Sequence, residues 1–512
     1  MIFRAPEDPV TIPDVALTPF LLKRAESWGD NPALIDSSNG RVLTYRQWSD
    51  AVRRAAVSLA RRGLRKGGVL AIFSANCPDY AIAFHAVSLL GGIVTTVNPL
   101  YTVEELSRQL KDAGAAYLVT APPFLDKALE AAKEAGLREV FVFGEGAGAT
   151  PFDSLLAGGG DVPPVEIDAR NDAVAMPYSS GTTGLPKGVM LTHRNLVANI
   201  LQCEAVFGLR QGEVTLGVLP FFHIYGMVVI MNLTFYVGGT IVTMPRFDLQ
   251  RCLQTLEKYR VTYAYIVPPI MLALARSPLV DDYDLSAVKR LFSGAAPLSA
   301  EVAEAAGKRL GCSVTQGYGM TETSPCTHVT RVGESVGIGE PLPNTEAKIV
   351  DLATGSELGP NEEGEICVRG PQVMKGYLNR PDATAAMIDF DGWLHTGDVG
   401  YADGRGRFFI VDRVKELIKY KGLQIAPAEL EALLLTHPCI ADAAVIPIAD
   451  EEAGQVPKAF VVLRSETTAE EIQAFVAGRV APYKKLRFVE MIDAIPRSPS
   501  GKILRRVLSA RA

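Results

Sequence analysis

The run Tyr178-Ser179-Ser180-Gly181-Thr182-Thr183-Gly184-Leu185-Pro186-Lys187-Gly188 constrains this chain more than any other stretch. Its glycines let backbone N–H groups turn toward an anion with no Cβ in the way. Ser179, Ser180, Thr182 and Thr183 add hydroxyl donors and Lys187 adds a positive charge. These are the residue types that hold a phosphate chain. The flanks agree: residues 172–177 read as a short buried strand and residues 192–195 as the opening of a helix, the strand, loop, helix order of many phosphate sites. A Walker A loop is excluded, because its lysine directly follows its last glycine and here Leu185 and Pro186 intervene. A flexible Gly/Ser/Thr linker is the bland alternative, and the apolar segments on both sides weigh against it.

A chain of 512 residues exceeds one ordinary core, so at least two domains are expected. The formal net charge of -6 argues against a nucleic-acid partner, while small anionic substrates need only a local basic pocket. Seven cysteines, scattered and without a C-x-x-C pair, fit a reducing cytoplasm and argue against a disulfide framework or a zinc site. The six histidines show no metal-ligand spacing. The N-terminus lacks the basic-then-apolar order of a signal peptide. No stretch reaches the ~18–20 apolar residues of a membrane helix. Residues 216–243 come nearest, but His223 and Asn232 interrupt them, so they read as core.

Helical and strand patterns alternate along the first part of the chain: helix 45–63, strand 69–74, helix 79–90, strand 93–97, helix 103–114, strand 115–120. Such alternation implies a mostly parallel sheet with crossover helices. Residues 144–164, rich in Gly, Ala and Pro, read as a surface connection. The last hundred or so residues read as a small α+β domain, with helices at 427–435 and 469–480 and strands near 441–446 and 459–463.

Further motifs follow the phosphate loop. His223 sits among aromatics in Phe221-Phe222-His223-Ile224-Tyr225, a setting that by itself suits a satisfied core histidine. Residues 293–298, Ser-Gly-Ala-Ala-Pro-Leu, read as a strand end opening into a crevice or as a plain helix start at Pro297. In Gln316-Gly317-Tyr318-Gly319-Met320-Thr321-Glu322, glycines on both sides of Tyr318 allow a flat platform for a purine, and Glu322 offers a hard oxygen ligand for Mg²⁺. Cys367 lies in Gly-Glu-Ile-Cys-Val-Arg-Gly with no histidine nearby in a triad-like arrangement, so it reads as a packed strand residue rather than a nucleophile. Asp398 carries a carboxylate able to accept both ribose hydroxyls. Residues 411–424 are dense in cations, and Lys502 sits on a turn near the end.

The loop, together with Phe-His-Ile-Tyr, Gly-Glu-Ile-Cys-Val-Arg-Gly and Lys-Glu-Leu-Ile-Lys-Tyr-Lys-Gly, resembles the adenylate-forming enzymes over nearly the whole chain, and among them the 4-coumarate:CoA ligases and their bacterial relatives. The resemblance implies an α/β fold: a large N-terminal domain of stacked βα sheets plus a distorted barrel, residues 1–412, and a small mobile α+β C-terminal domain, residues 413–512. It implies a hinge near Asp412 to Lys415, and ATP, Mg²⁺ and coenzyme A as the small-molecule partners of a carboxylic acid. By the same resemblance Ser179, Ser180, Gly181, Thr182, Thr183, Gly184 and Lys187 hold the phosphates, while Ala296, Gln316, Gly317, Tyr318 and Gly319 surround adenine. Asp398 and Arg413 take the ribose, Thr321 lies at the α-phosphate or acyl carbonyl, and Glu322 binds the metal. His223 stands at the substrate carboxylate, with Tyr225, Ala295 and Pro325 in the acyl pocket. Lys502 bridges carboxylate and α-phosphate during adenylation, Lys419 and Gln424 serve thioester formation, Lys415 marks the hinge, and Lys421 and Gly422 meet coenzyme A.

The implied reaction joins a carboxylate to AMP with release of pyrophosphate, then transfers the acyl group to a thiol. Two anions meet in the first step, so the site needs cations, here Mg²⁺, Lys187 and Lys502, rather than a general base. Val229, Phe292 and Cys326 depart from the plant pattern toward an apolar pocket, which favours cinnamate-type acids or medium-chain fatty acids over multiply hydroxylated rings. The expected activity is 4-coumarate or cinnamate:CoA ligation. The alternatives are a medium- or long-chain fatty acyl-CoA ligase, a luciferase-like oxygenase, and an acyl-AMP ligase loading a carrier protein. A cytoplasmic monomer or homodimer without an integral membrane segment completes the expectation.

Overall fold

In the computed structural model, the structure describes residues 1–179, 186–334, 336–414, 416–420, 423–450, 453–480, 482–498 and 501–511, and for residues 423 and 424 only the backbone. The chain divides into two compact units. The larger comprises Arg4–Glu346 with Arg369–Leu394, and the smaller Met1–Phe3, Ala347–Val368 and His395–Ala512.

The larger unit carries the expected α/β alternation. Its central strand Val69–Phe73 is buried throughout and pairs in parallel with Ile93–Val97 on one side and Ala115–Thr120 on the other. Burial on both faces is what a continuous Val-Leu-Ala-Ile-Phe run demands. The crossover helices Tyr45–Arg61 and Val103–Asp112 begin at capping boxes, Thr44 with Gln47 and Thr102 with Glu105, which satisfy N–H groups that a helix start leaves unpaired. A second sheet runs in the order 340–341, 326–329, 313–319, 290–293, 263–266, 214–217, 240–243, 32–36, 42–44, and its strands from 290–293 to 32–36 lie parallel. Residues 216–243 are core, as expected: a buried π-helix, Tyr225–Asn232, and the helix Leu233–Val237 lie between the buried strand ends. No helix among the described residues is long and apolar enough to cross a membrane.

Three local expectations are corrected. The phosphate loop does not lead directly into a helix: Lys187–Thr192 is a strand, paired with Tyr178–Ser179 in the register Ser179 to Lys187, and the helix His193–Phe207 starts only after it, capped by Thr192. Residues 144–164 are more than a surface connection, since Thr150–Pro151 extends the sheet and Phe152 and Leu155 are buried. The helix after Pro297 begins at Ala300, capped by the Ser299 hydroxyl, because an N-cap oxygen fixes the start better than proline does.

The smaller unit holds two five-stranded sheets among the described residues, one of strands Phe3–Arg4, Glu346–Val350, Gly364–Arg369, Leu394–Ala402 and Phe408–Arg413, the other ordered 423–425, 418–420, 454–463, 440–450 with 488–491 beside 454–463. The second sheet packs Ile418, Val445, Ala459 and Val461 against Leu430 and Leu434 of the helix Pro427–Leu435 and Ile472 and Val476 of the helix Ala469–Ala477. Both helices and the two strands predicted in this segment are present.

Candidate active site

In the larger unit, the strand Lys187–Thr192 is flanked on its other edge by the short strand Gly376–Tyr377, with Val189 opposite Tyr377 and the Leu378 N–H donating to the Gly188 carbonyl at 2.8 Å. This pairing puts the Lys187 ammonium over the Tyr377 ring, 5.0 Å from its centroid. The Tyr377 hydroxyl donates to Glu322 Oε1 at 2.8 Å. Glu322 is only 2% exposed, so its carboxylate depends on that partner. Burial and the neighbouring Glu322 charge push the Tyr377 hydroxyl up, which keeps it a donor. Tyr377 was not singled out from the sequence. Its only local sign is the Lys-Gly-Tyr triplet, with Gly376 at φ 147, where a side chain is strained.

Glu322 lies in the 3-10 turn Thr321–Thr323, directly after the strand Ser313–Gly319 that carries Gln316, Gly317, Tyr318 and Gly319. The Gln316 backbone exchanges two hydrogen bonds with Thr330, both at 2.8 Å, and Tyr318 pairs across the sheet with His328. Met320 N–H and the Thr323 hydroxyl both donate to the Pro325 carbonyl, at 3.1 and 2.5 Å, which closes the turn around Thr321.

On the acyl side, the Tyr225 N–H donates to His223 Nδ1 at 3.2 Å, which leaves the ring proton of the neutral imidazole on Nε2. Asn76 holds the segment before His223: its amide donates to the Gly217 and Leu219 carbonyls at 2.9 and 2.8 Å, and its oxygen accepts from Phe221 N–H at 2.7 Å. Asn76 is a positioning residue that sequence reading missed, being 147 positions before His223. Tyr225 is buried and its hydroxyl donates to the Phe292 carbonyl at 3.2 Å. Phe292 packs at 4.5 Å from Phe207 and 5.5 Å from Tyr265, ring centre to ring centre. Space beside it is tight: a Cβ at Gly317 would stand 2.6 Å from Phe292 Cζ, and one at Gly294 3.1 Å from Tyr225 Cε1. Ala295 adopts a left-handed conformation, φ 70, the kind of local strain that gathers at functional sites. Ala296 is half-buried beside it.

In the smaller unit, Asp398 and Arg413 stand opposite one another on antiparallel strands, with Arg413 Nε 3.0 Å from Asp398 Oδ1. Lys419 is exposed and its backbone stands opposite that of Gln424 on antiparallel strands. Lys502 is exposed on a turn in which its N–H donates to Ser498 Oγ at 3.1 Å and its carbonyl accepts from Ser498 N–H at 2.8 Å. Arg497 ties that turn to the sheet through Asp442, at 2.8 and 3.0 Å. The candidates Ser180, Gly181, Thr182, Thr183, Gly184, Lys415, Lys421 and Gly422 lie outside the described residues. One expectation is overturned here: Cys367 does have a histidine partner, since His395 Nδ1 is 3.5 Å from its Sγ. The two belong to neighbouring strands, so spacing along the chain could not show it.

The AMP-binding enzyme family matches residues 21–378, and the family's C-terminal domain matches residues 429–502. The chain therefore belongs to the AMP-binding enzymes. It is 44% identical to 4-coumarate--CoA ligase 5 of Oryza sativa subsp. japonica, over 100% of this chain and 97% of the relative, and 43% identical to 4-coumarate--CoA ligase of Pinus taeda, over 98% and 96%. Among solved structures it is similar to an ATP-bound RpMatB-BxBclM chimera (TM-score 0.90, 30% identity, 98% and 99% of the two chains). It is likewise similar to the o-succinylbenzoate CoA synthetase MenE of Bacillus subtilis with its acyl-adenylate (TM-score 0.84, 30% identity, 98% of each chain).

Proposed function

We propose that this chain is an AMP-forming acid-thiol ligase that converts 4-coumarate or a closely related cinnamate to its coenzyme A thioester. Full-length identity of 43–44% to plant 4-coumarate--CoA ligases supports the reading, and the observation that carries it is the Lys187, Tyr377, Glu322 array directly after the Tyr318 strand. That array sets one ammonium and one buried carboxylate around a shared aromatic ring, which suits a polyphosphate and its cation.

The residues present fit Mg²⁺: Glu322 is a buried hard oxygen donor whose Oε1 is held by Tyr377. When bound, Mg²⁺ supplies charge neutralisation at the phosphates. Lys187 holds phosphate oxygens and Tyr318 stacks on adenine. Asp398 accepts the ribose hydroxyls while Arg413 orients its carboxylate. His223 stands at the substrate carboxylate, its ring oriented by the Tyr225 N–H at Nδ1. The carboxylate attacks the α-phosphorus, pyrophosphate leaves, and Lys502 neutralises the anions that meet. The coenzyme A thiol then attacks the acyl carbon, AMP leaves, and Lys419, Gln424, Lys421 and Gly422 serve this half. A hinge at Asp412 to Lys415, between domains 1–412 and 413–512, exchanges the two sets.

The wall of Tyr225, Phe292, Gly294 and Gly317 is apolar and aromatic, which favours a planar acid of cinnamate size with few hydroxyls. All seven cysteines are free thiols, which supports a reducing, cytoplasmic setting. The test is mass spectrometry of products from the purified protein with ATP, Mg²⁺, coenzyme A and a mixed pool of cinnamic, benzoic and fatty acids. Hydroxycinnamoyl thioesters dominate if the reading holds. Octanoyl or longer products transfer it to the fatty acids, and acyl-AMP without thioester removes coenzyme A as acceptor.

A further inference from the structure

We infer that Glu365, Cys367 and His395 form a binding site for one soft divalent cation of the zinc class, built from residues other than those assigned to ATP and Mg²⁺. The scattered cysteines and histidines gave no sign of it in the sequence.

Glu365 and Cys367 are two apart on the strand Gly364–Arg369, so both side chains leave the same face. His395 stands on the neighbouring strand Leu394–Ala402. His395 Nδ1 lies 2.8 Å from Glu365 Oε2 and 3.5 Å from Cys367 Sγ, and the donor atoms of all three residues lie within 4.8 Å of one another. A tetrahedral zinc ion with bonds of about 2.0–2.3 Å separates its ligand atoms by roughly 3.3–3.7 Å. The sulfur and nitrogen already stand at that spacing, and the oxygen and nitrogen have to part by only about 0.5 Å.

The surroundings support the same chemistry. The second oxygen of Glu365 accepts from Gly397 N–H at 2.9 Å, the kind of outer contact that fixes a ligating carboxylate. The His395 side chain is 35% exposed, which gives solvent a route to a fourth position, while Cys367 is fully buried. Thiolate, imidazole and carboxylate together select zinc over magnesium, which prefers oxygen alone. A nucleophilic role for Cys367 is disfavoured, because burial pushes its thiol up and His395 is engaged by Glu365.

Protons compete with the cation. The thiolate, not the thiol, is the ligand, so loading must displace the Cys367 proton. Lys348, on the strand Glu346–Val350 next in the sheet, acts electrostatically on Cys367 and opposes the cation. Affinity therefore rises with pH.

The test uses the full chain, stripped with a chelator and titrated with Co²⁺ and then Zn²⁺ against a chromophoric competitor. One equivalent of Co²⁺ is expected to give a near-ultraviolet thiolate-to-cobalt band. Cys367→Ser abolishes the band, and His395→Gln weakens binding at least about tenfold. Binding tightens between about pH 6.5 and pH 8.5. Absence of a thiolate band in the folded wild type overturns the proposal. So does a band and affinity unchanged in His395→Gln, which would place the metal on another of the seven cysteines, or affinity independent of pH. Should Cys367→Ser fail to fold, His395→Gln, at a half-exposed position, decides the matter alone.

Discussion

The Tyr377 hydroxyl donates to Glu322 Oε1 across 2.8 Å, although 55 residues separate the two in the chain. The bond joins the edge strand beside the phosphate loop to the turn after the Tyr318 strand, so it sets the carboxylate with which we associate Mg²⁺. Replacing Tyr377 by Phe keeps the ring under Lys187 and removes only the donor. A buried carboxylate stripped of its partner costs about 1–3 kcal/mol. Urea unfolding should show a loss of that size, and ATP-pyrophosphate exchange should require more Mg²⁺ for half-maximal rate. Unchanged Mg²⁺ dependence would separate Tyr377 from the metal.

Gly317 and Phe292 form a steric pair. Gly317→Ala places a methyl group 2.6 Å from Phe292 Cζ, and overpacking of that kind costs about 1–3 kcal/mol. The double variant with Phe292→Leu should recover most of the loss, because the clashing ring edge is gone. A double-mutant cycle in denaturant, repeated on kcat/KM for cinnamate, measures the coupling. Additive losses would mean the strain lies elsewhere.

Lys502 and Lys419 should divide the reaction. Lys502→Ala is expected to lower ATP-pyrophosphate exchange by at least about a hundredfold, on the order of what one charge stabilising a developing anion supplies. Thioester formation from supplied acyl-AMP should fall far less. Lys419→Ala should show the reverse, and equal losses in both assays would exclude the division.

Acid stability follows from three buried histidines. Burial lowers His85 and His328 to about 3 and His193 to about 4, whereas each titrates near 6.5 when unfolded. The unfolded chain binds protons that the folded chain refuses, so stability is full above about pH 6.5 and falls as pH drops toward the folded values. Glu431, pushed up to about 7 by burial, works in the opposite direction between about pH 4.5 and 7 and offsets part of one histidine. Urea midpoints at pH 7 and pH 5 should show net destabilisation in acid, and His85→Asn, at a position clear of the proposed site, should flatten the curve. A midpoint that does not move would remove these histidines from the account.

Local pattern carried much of the fold. The helical patterns expected from 45 and from 103 begin as helices at Tyr45 and Val103, and the apolar runs at 93–97 and 115–120 are strands at those same residues. The α/β class and the family were legible because alternating apolar patterns and the glycine, hydroxyl and lysine spacing of residues 178–188 are written along single stretches of chain. Strand Lys187–Thr192 was missed because part of its pairing comes from Gly376–Tyr377, far away in sequence.

What the sequence by itself determined is therefore most of the local elements and the family, with the 178–188 run and the lysines at 187, 419 and 502 as its candidate site residues. Only the tertiary structure decided that Tyr377 serves Glu322, that Asn76 holds the segment of His223, and that Cys367, His395 and Glu365 meet. The physical reason is the same in each case. Such contacts form between neighbouring strands or across a packed core, and the partner's place is set by sheet register and burial, which no spacing along the chain records.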